Sequence, residues 1–257
     1  MRYFDTHAHI GLIFDDPIEQ LLACQQAKQY GVQRIVSICN SLMDFFQVYD
    51  SLKTSEHVYH AAGVSPSEVA SPGRDWRAKL DEALKLPRVI AVGEIGLDYY
   101  HRYGDKDSQI ELFIDQLDIA AKHDLPVIIH NREAGKDVLD VLRDRLPPAG
   151  GVLHCYSENA EYALRALDLN LYFSFAGNLT YRNAKNLHET VRALPLDRIL
   201  VESEAPFMVP AKYRGKRNKP EYLPATVDDL AMLLDLPVED VAEATYQNAC
   251  RLFRVPE

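Results

Sequence analysis

Cysteine is scarce. Cys24, Cys39, Cys155 and Cys250 are the only four in 257 residues, and no two form a Cys-x-x-Cys pair. That spacing excludes a zinc ribbon and argues against a disulfide frame, so the thiols are read as reduced and the protein as cytoplasmic. No apolar run approaches the roughly 20 residues that span a bilayer. The segment Met1–His9 turns polar at once and lacks the apolar region of a signal peptide. Basic residues are outnumbered, with 28 Lys and Arg against 38 Asp and Glu and a formal net charge of −10. Such a chain does not coat nucleic acid by electrostatics alone. Bound divalent cations can still supply the local positive charge that a phosphate needs. There is no low-complexity linker, and no strand is followed by Gly-x-Gly-x-x-Gly, which weighs against a dinucleotide-binding doubly wound sheet.

What is present is alternation. Hydrophobic residues make up 47% and charged residues 26%, ordinary values for a chain with a sizeable core. Short runs rich in Val, Ile and aromatics predict strands at Tyr3–Thr6, Arg34–Ile38, Val58–Gly63, Val89–Gly93, Pro126–Ile129, Gly151–Leu153, Leu171–Phe175 and Arg198–Val201. Helical periodicity falls between them, as at Pro17–Tyr30, Lys106–His123, Lys136–Arg145 and Asn183–Ala193. In Lys106–His123, the spacing of Ile110, Phe113, Ile114, Leu117 and Ala121 predicts a core-facing stripe. Gly31 suits the left-handed position just past the first of these helices. Two more helices, Tyr222–Leu234 and Val238–Phe253, follow the last strand. Alternating strands and helices imply parallel pairing through right-handed crossovers. The expectation is one domain over residues 1–257, an α/β (β/α)8 TIM barrel with an extra C-terminal helix, at about the usual length for that fold.

The ionisable residues cluster at predicted strand ends. His7 and His9 end the first strand, Glu94 the fourth, His130 the fifth, His154 the sixth, and Glu202 and Glu204 the eighth. In a barrel these ends converge on one mouth, where active sites are built. Singly, a strand-end histidine is more often a hydrogen-bonded structural residue, and His57, His60, His101, His123 and His188 are read that way. His7-x-His9 is stronger, because alternate strand residues share a face and can hold one ion. Imidazole and carboxylate suit Zn, Mn, Fe or Mg, whereas a structural zinc favours cysteine. The set is large enough for two ions bridged by a carboxylate, an arrangement suited to hydrolysis. A Cys155 nucleophile is weaker, since Cys155 and His154 point to opposite faces of a strand.

These residues stand in recognisable motifs. They are Asp5-Thr6-His7-Ala8-His9, Gly93-Glu94-Ile95-Gly96-Leu97-Asp98-Tyr99-Tyr100, His130-Asn131-Arg132-Glu133-Ala134 and His154-Cys155-Tyr156-Ser157, with Phe175–Tyr181 and Arg214–Asn218 completing them. Together, along essentially the whole chain, they resemble the TatD family of metal-dependent deoxyribonucleases, within the amidohydrolase-like barrels. The resemblance implies Mg2+-dependent hydrolysis of DNA phosphodiesters, often trimming single strands from the 3′ end, with Mn2+ or Zn2+ as alternative ions. It implies that His7, His9 and Glu94 hold one ion and Glu94, His130 and His154 the other, with Glu94 as the bridge. It also implies that Glu204 is a further ligand and orients the attacking water.

Two positions depart from the family. Glu202-Ser203-Glu204-Ala205-Pro206 stands where the family has Glu-Thr-Asp-x-Pro, so Glu204 reaches one methylene further. Gly63-Val64-Ser65-Pro66 replaces Gly-x-His-Pro, and Ser65 can donate a hydrogen bond to phosphate or water but cannot be a cationic acid. For phosphate, Arg132 offers a bidentate guanidinium, and Lys212–Lys219, with Lys216 and Arg217, is the one dense basic segment. Tyr99, Tyr100, Tyr103 and Tyr181 offer faces on which unpaired bases can stack. The leading expectation is a nuclease on single-stranded DNA with Glu94 and Glu204 at the chemistry. Its competitors are an amidohydrolase-type enzyme on a small ester or amide, and a non-catalytic homologue that binds metal or DNA. A monomer is expected, since no exposed apolar stripe announces a partner.

Overall fold

Eight short β-branched or aromatic runs become strands because both of their faces find apolar cover. The computed structural model describes residues 1–257. Its strands are β1 (Tyr3–Ala8), β2 (Val32–Ser37), β3 (Val58–Ala62), β4 (Val89–Asp98), β5 (Val127–Arg132), β6 (Gly151–Leu153), β7 (Tyr172–Phe175) and β8 (Ile199–Val201). They pair in parallel in sequence order, the expected barrel topology. The barrel closes between β8 and β1 where Glu204 N–H donates to His7 O (3.0 Å), His9 N–H to Ala205 O (2.8 Å) and the Thr6 hydroxyl to Val201 O (3.0 Å).

Helices α1 (Ile10–Ile13), α2 (Pro17–Gln29), α3 (Leu42–Leu52), α4 (Trp76–Ala83), α5 (Lys106–Lys122), α6 (Gly135–Arg145), α7 (Ala160–Leu167) and α8 (Lys185–Ala193) fill the crossovers. Two more, α9 (Leu223–Leu234) and α10 (Val238–Phe253), follow β8. Local chemistry sets several ends. Asp16 accepts hydrogen bonds from the Ile18 and Glu19 amides at the start of α2, with Pro17 in the first helical position. Gly31, at φ +89°, stands just past the end of α2, as the sequence predicts.

The apolar interior has two layers. The larger packs the outer strand faces against the surrounding helices. The smaller takes one residue from each strand (Phe4, Val36, Ala61, Ala91, Ile128, Val152, Tyr172 and Leu200) and fills the barrel itself. Helix α10 closes this inner layer with Tyr246, Leu252 and Phe253, the rings of Tyr246 and Phe253 each lying 6.0 Å from Phe4. With one end of the barrel plugged by α10, the other end is free for a polar site.

Two expectations need correction. The sequence ends the fourth strand at Gly93, yet β4 continues to Asp98, paired to β5 from Ile95↔Ile129 through Asp98↔Arg132. Glu94 and His130 therefore lie within strands, not at their ends. The face of α5 also differs, because Ala121 is exposed while Gln109 and Gln116 are buried. Each of those amides clamps a backbone: Gln109 bonds both the N–H and C=O of Asp98, and Gln116 those of Val64. A buried glutamine that satisfies two backbone groups is favoured over an alanine that satisfies none.

Gly96 tests how tightly β4 and β5 are bound together. Its φ is +141°, and a Cβ there would lie 2.1 Å from the His130 carbonyl oxygen. Gly96→Ala is expected to destabilise the protein by about 2–4 kcal/mol, since backbone strain and a backbone clash add. Urea unfolding measures this, and a loss below about 1 kcal/mol would show that the strand pair yields easily.

Candidate metal centre

The β1–β8 closure does more than seal the barrel. The bond from Glu204 N–H to His7 O sets the eighth-strand carboxylate beside the first-strand histidine, and Glu204 Oε2 lies 3.3 Å from His7 Nε2. Glu204 has φ +54°, a left-handed conformation unusual for a residue with a Cβ and often found at functional turns. His9 stands just past β1, and its Nε2 approaches His7 Nε2 to 3.1 Å.

Glu94 joins the remaining strands. Its Oε1 lies 2.7 Å from His130 Nδ1 and 3.3 Å from His154 Nε2, which are 3.4 Å from each other. Its Oε2 lies 3.7 Å from both His7 Nε2 and His9 Nε2. Each triangle has a circumscribed radius of about 1.8–2.0 Å, so an ion with ligand bonds of ~2.1 Å can touch all three donors at once. His7, His9 and Glu94 form one such group, and Glu94, His130 and His154 another. Glu202 and Glu204 make a third grouping with His7 and His154. Glu204 Oε2 is buried without a hydrogen-bond partner, whereas the unpartnered ring nitrogens of His7 and His9 are Nδ1, not the Nε2 atoms that face Glu94. A buried carboxylate oxygen left bare is costly unless a cation or proton completes it, so the donor set fits divalent ions.

The electrostatics follow from burial. Burial holds His7 well below its ordinary pKa, with His154 and His9 adding to the effect, and it lowers His9 as well. Both rings are thus neutral and ready to ligate. Burial opposes the charge on Glu94, but the field of His154 and the hydrogen bonds of His130 and His154 hold its carboxyl well below the usual range. Burial, reinforced by Glu202 and Glu94, pushes Glu204 up to about 8. Burial also disfavours the His130 cation, yet its bonds to Asp98 and Glu94 outweigh that and raise it to about 8.

Behind these donors stand carboxylates that the sequence reading left without a role. Glu202, fully buried, accepts from the Cys155 amide (2.8 Å) and faces His154 Nδ1 at 3.4 Å. Asp98 faces His130 Nε2 at 3.1 Å. Asp5 accepts from the amides of His7 (3.3 Å) and Ser203 (2.8 Å), and burial pushes it up to about 7. The available signal was a carboxylate next to a ligand motif inside an otherwise apolar run. Cys155 is held by burial and by Glu204 and Glu202 well above its ordinary pKa, which makes it a poor nucleophile.

The other expected site residues are scattered. The Arg132 guanidinium lies 5.2 Å from the Tyr100 ring centre. Ser65 is buried and caps a short turn, its hydroxyl 2.9 Å from that of Ser67, so its hydrogen bonds go to Ser67 and not to a metal-site donor. Lys216 lies beside the Tyr213 ring, and Arg217 donates to Leu12 O in α1. Tyr99 and Tyr181 spend their hydroxyls on Asp137 and Val209 O, while Tyr100 and Tyr103 are exposed. Phe207, also exposed, sits edge-on 6.1 Å from His9 and was not anticipated. His57, His123 and His188 bond to Cys24 O, Asp81 and Leu179 O, in keeping with structural roles.

A parallel barrel that gathers buried histidines and glutamates at one mouth defines a metal-dependent hydrolase of the amidohydrolase-like fold. The model for TatD-related DNases matches residues 4–254. The chain is 36% identical to the metal-dependent hydrolase YabD of Bacillus subtilis, covering 98% of this chain and 99% of that one. It is 35% identical to YcfH of Escherichia coli K12, with coverage of 99% and 97%. It superposes on the crystal structure of YjjV, a TatD homolog from Escherichia coli K12, with a TM-score of 0.92, 30% identity and 99% coverage of both chains. The chain belongs to the TatD-related DNase family.

Metal uptake should depend on pH with a defined sign. Near neutral pH, His130, His154 and Glu204 each hold a proton that ligation must remove, since His130 and Glu204 are raised to about 8 and His154 well above its ordinary value. An entering ion must displace those protons, so affinity should rise as pH rises toward 8, with on the order of two to three protons released per chain near neutrality. Calorimetry in buffers of different ionisation enthalpy counts them. An affinity that stays flat across this range would contradict the assignment.

Proposed function

We propose that this protein is a deoxyribonuclease that hydrolyses phosphodiester bonds of single-stranded DNA from the 3′ end, using two divalent ions. Mg2+ or Mn2+ is favoured, with Zn2+ as the alternative. The observation that carries this reading is the pair of donor triangles that share Glu94, one carboxylate oxygen in each. Two ions held a few ångströms apart supply an activated water and neutralise the leaving oxygen of an in-line displacement. His7, His9, Glu94, His130, His154 and Glu204 are the ligands in this reading.

The chain's own groups do the rest. Glu204 Oε2, bare and buried beside His7, accepts the proton of the attacking water. In the metal-free protein its carboxyl is raised to about 8, and metal binding that removes this proton would leave the carboxylate able to accept one from water. Arg132 has no carboxylate partner, and its fork is free to take two phosphate oxygens. Tyr100 and Tyr103 offer exposed faces for unpaired bases, and Lys216 and Arg217 follow the backbone charge beyond the scissile bond. Ser65, buried and bonded to Ser67, has no part in this reading. We read the enzyme as a cytoplasmic monomer acting as one domain over residues 1–257, with its cysteines free.

A 5′-labelled single-stranded oligonucleotide, incubated with Mg2+, Mn2+ or EDTA, tests this directly. A ladder shortening from the 3′ end is expected, abolished by EDTA and by His154→Ala. Glu204→Gln should keep substrate binding while lowering kcat about 10²–10⁴-fold, as loss of a general base does. An oligonucleotide that stays intact under every metal would exclude the nuclease and turn attention to small esters or amides.

A further inference from the structure

The Asp98 carboxylate lies behind His130, on the side away from Glu94. His130 turns Nδ1 to Glu94 Oε1 at 2.7 Å and Nε2 to Asp98 Oδ2 at 3.1 Å. Neutral imidazole carries one N–H and one lone pair, and only the lone pair can bind a metal. An ionised carboxylate accepts hydrogen bonds and cannot donate them. Asp98 therefore demands the proton on Nε2 and leaves the lone pair on Nδ1, the nitrogen that faces Glu94 and His154.

Asp98 is itself held on every side. The side chain is buried. Gln109 bonds both its backbone N–H (2.8 Å) and its C=O (3.0 Å). Its Oδ1 accepts from the His101 amide at 2.8 Å, and its Oδ2 also meets His101 Nδ1 at 2.8 Å. With both oxygens committed, Asp98 is not a spare ligand. None of the donor groupings that could hold an ion includes it. The same device recurs at His154, whose Nδ1 faces buried Glu202 while Nε2 faces Glu94.

We infer that Asp98, steadied by Gln109 and His101, is a positioning residue that fixes His130 as the Nε2-protonated tautomer and so commits Nδ1 to the metal. The inference rests on the metal-centre reading above and adds to it a residue that touches neither metal nor substrate. It makes a counterintuitive case of the isosteric change Asp98→Asn. The His101 amide requires an acceptor at the Oδ1 position, so the Asn amide nitrogen must face His130. A donor there calls for a lone pair on Nε2, which moves the ring proton to Nδ1 and blocks ligation. An Asp-to-Asn change behind a histidine is known to preserve shape and reverse the tautomer in this way.

Zn2+ alone is a sufficient probe. Competition calorimetry gives its affinity for wild type and Asp98→Asn. NMR of the Zn2+-loaded, 15N-histidine-labelled proteins reads the ring proton, assigned with a His130→Gln control. The expected result is a ten- to hundredfold loss of Zn2+ affinity, the scale of such outer partners, with a His130 Nε2–H signal in wild type that is absent from the variant. Thermal melting of the metal-free variant should fall, because Asp98 also pairs with His130 and the His101 amide. Melting therefore shows only that the variant folds, and the His130 ring-proton signal is the readout that a purely structural role would not move. If Asp98→Asn fails to fold, Asp98→Ala carries the same two readouts, with a smaller loss because nothing then imposes the wrong tautomer. Wild-type affinity and an intact Nε2–H signal in the folded variant would overturn the assignment alone. A wild-type protein that takes up no Zn2+ would overturn the metal centre and this assignment with it.

Discussion

Glu94 carries two obligations in one carboxylate. Its oxygens point in different directions, Oε1 to His130 and His154 and Oε2 to His7 and His9, and both lie out of solvent. An ionised carboxylate in such a place is tolerated only with cationic or hydrogen-bonding partners around it, because its desolvation costs several kcal/mol. The remaining features follow from meeting that condition. Three strands, β1, β5 and β6, must deliver rings to one point, β4 must run on past its apolar stretch, and β8 must close onto β1 closely enough to bring Glu204 within reach of His7.

The scaffold divides the labour of stability and chemistry along the barrel axis. One end is filled by a residue from every strand and sealed by α10. The other end gathers polar groups that weaken one another, including two imidazole nitrogens 3.1 Å apart and a Glu204 carboxyl driven up by its neighbours. A cluster of this kind is a stability liability that the apolar layer and the helix shell must offset. The outer carboxylates Asp98, Glu202 and Asp5 lessen the liability by giving ring nitrogens and backbone amides defined partners. In doing so they also set which nitrogen of each ring looks inward.

The two departures from the family pattern have different structural meanings. Glu204 is longer than the family's aspartate, yet it reaches the His7 ring from a left-handed turn anchored by its own amide on His7 O. The site has kept a carboxylate at that point in space. Ser65 instead turns to its own loop as the cap of a short turn.

The sequence by itself determined the barrel and the identities of the inner donors. Alternating apolar runs and helical stretches leave few topologies, and His7-x-His9, Glu94, His130 and His154 stand where such runs end, a coincidence that chemistry alone makes meaningful. It did not determine where the strands stop, since polarity reads as exposure in one dimension while Glu94 and Asp98 are polar and buried. Nor did it reveal Asp98, Glu202 or the buried amides of Gln109 and Gln116. Their roles depend on hydrogen bonds between groups as close as three residues and as distant as 52 along the chain. Only the closed barrel decided which oxygen of Glu94 meets which ring and which nitrogen of His130 faces inward, because those choices are set by distances of about 3 Å that no spacing along a chain encodes.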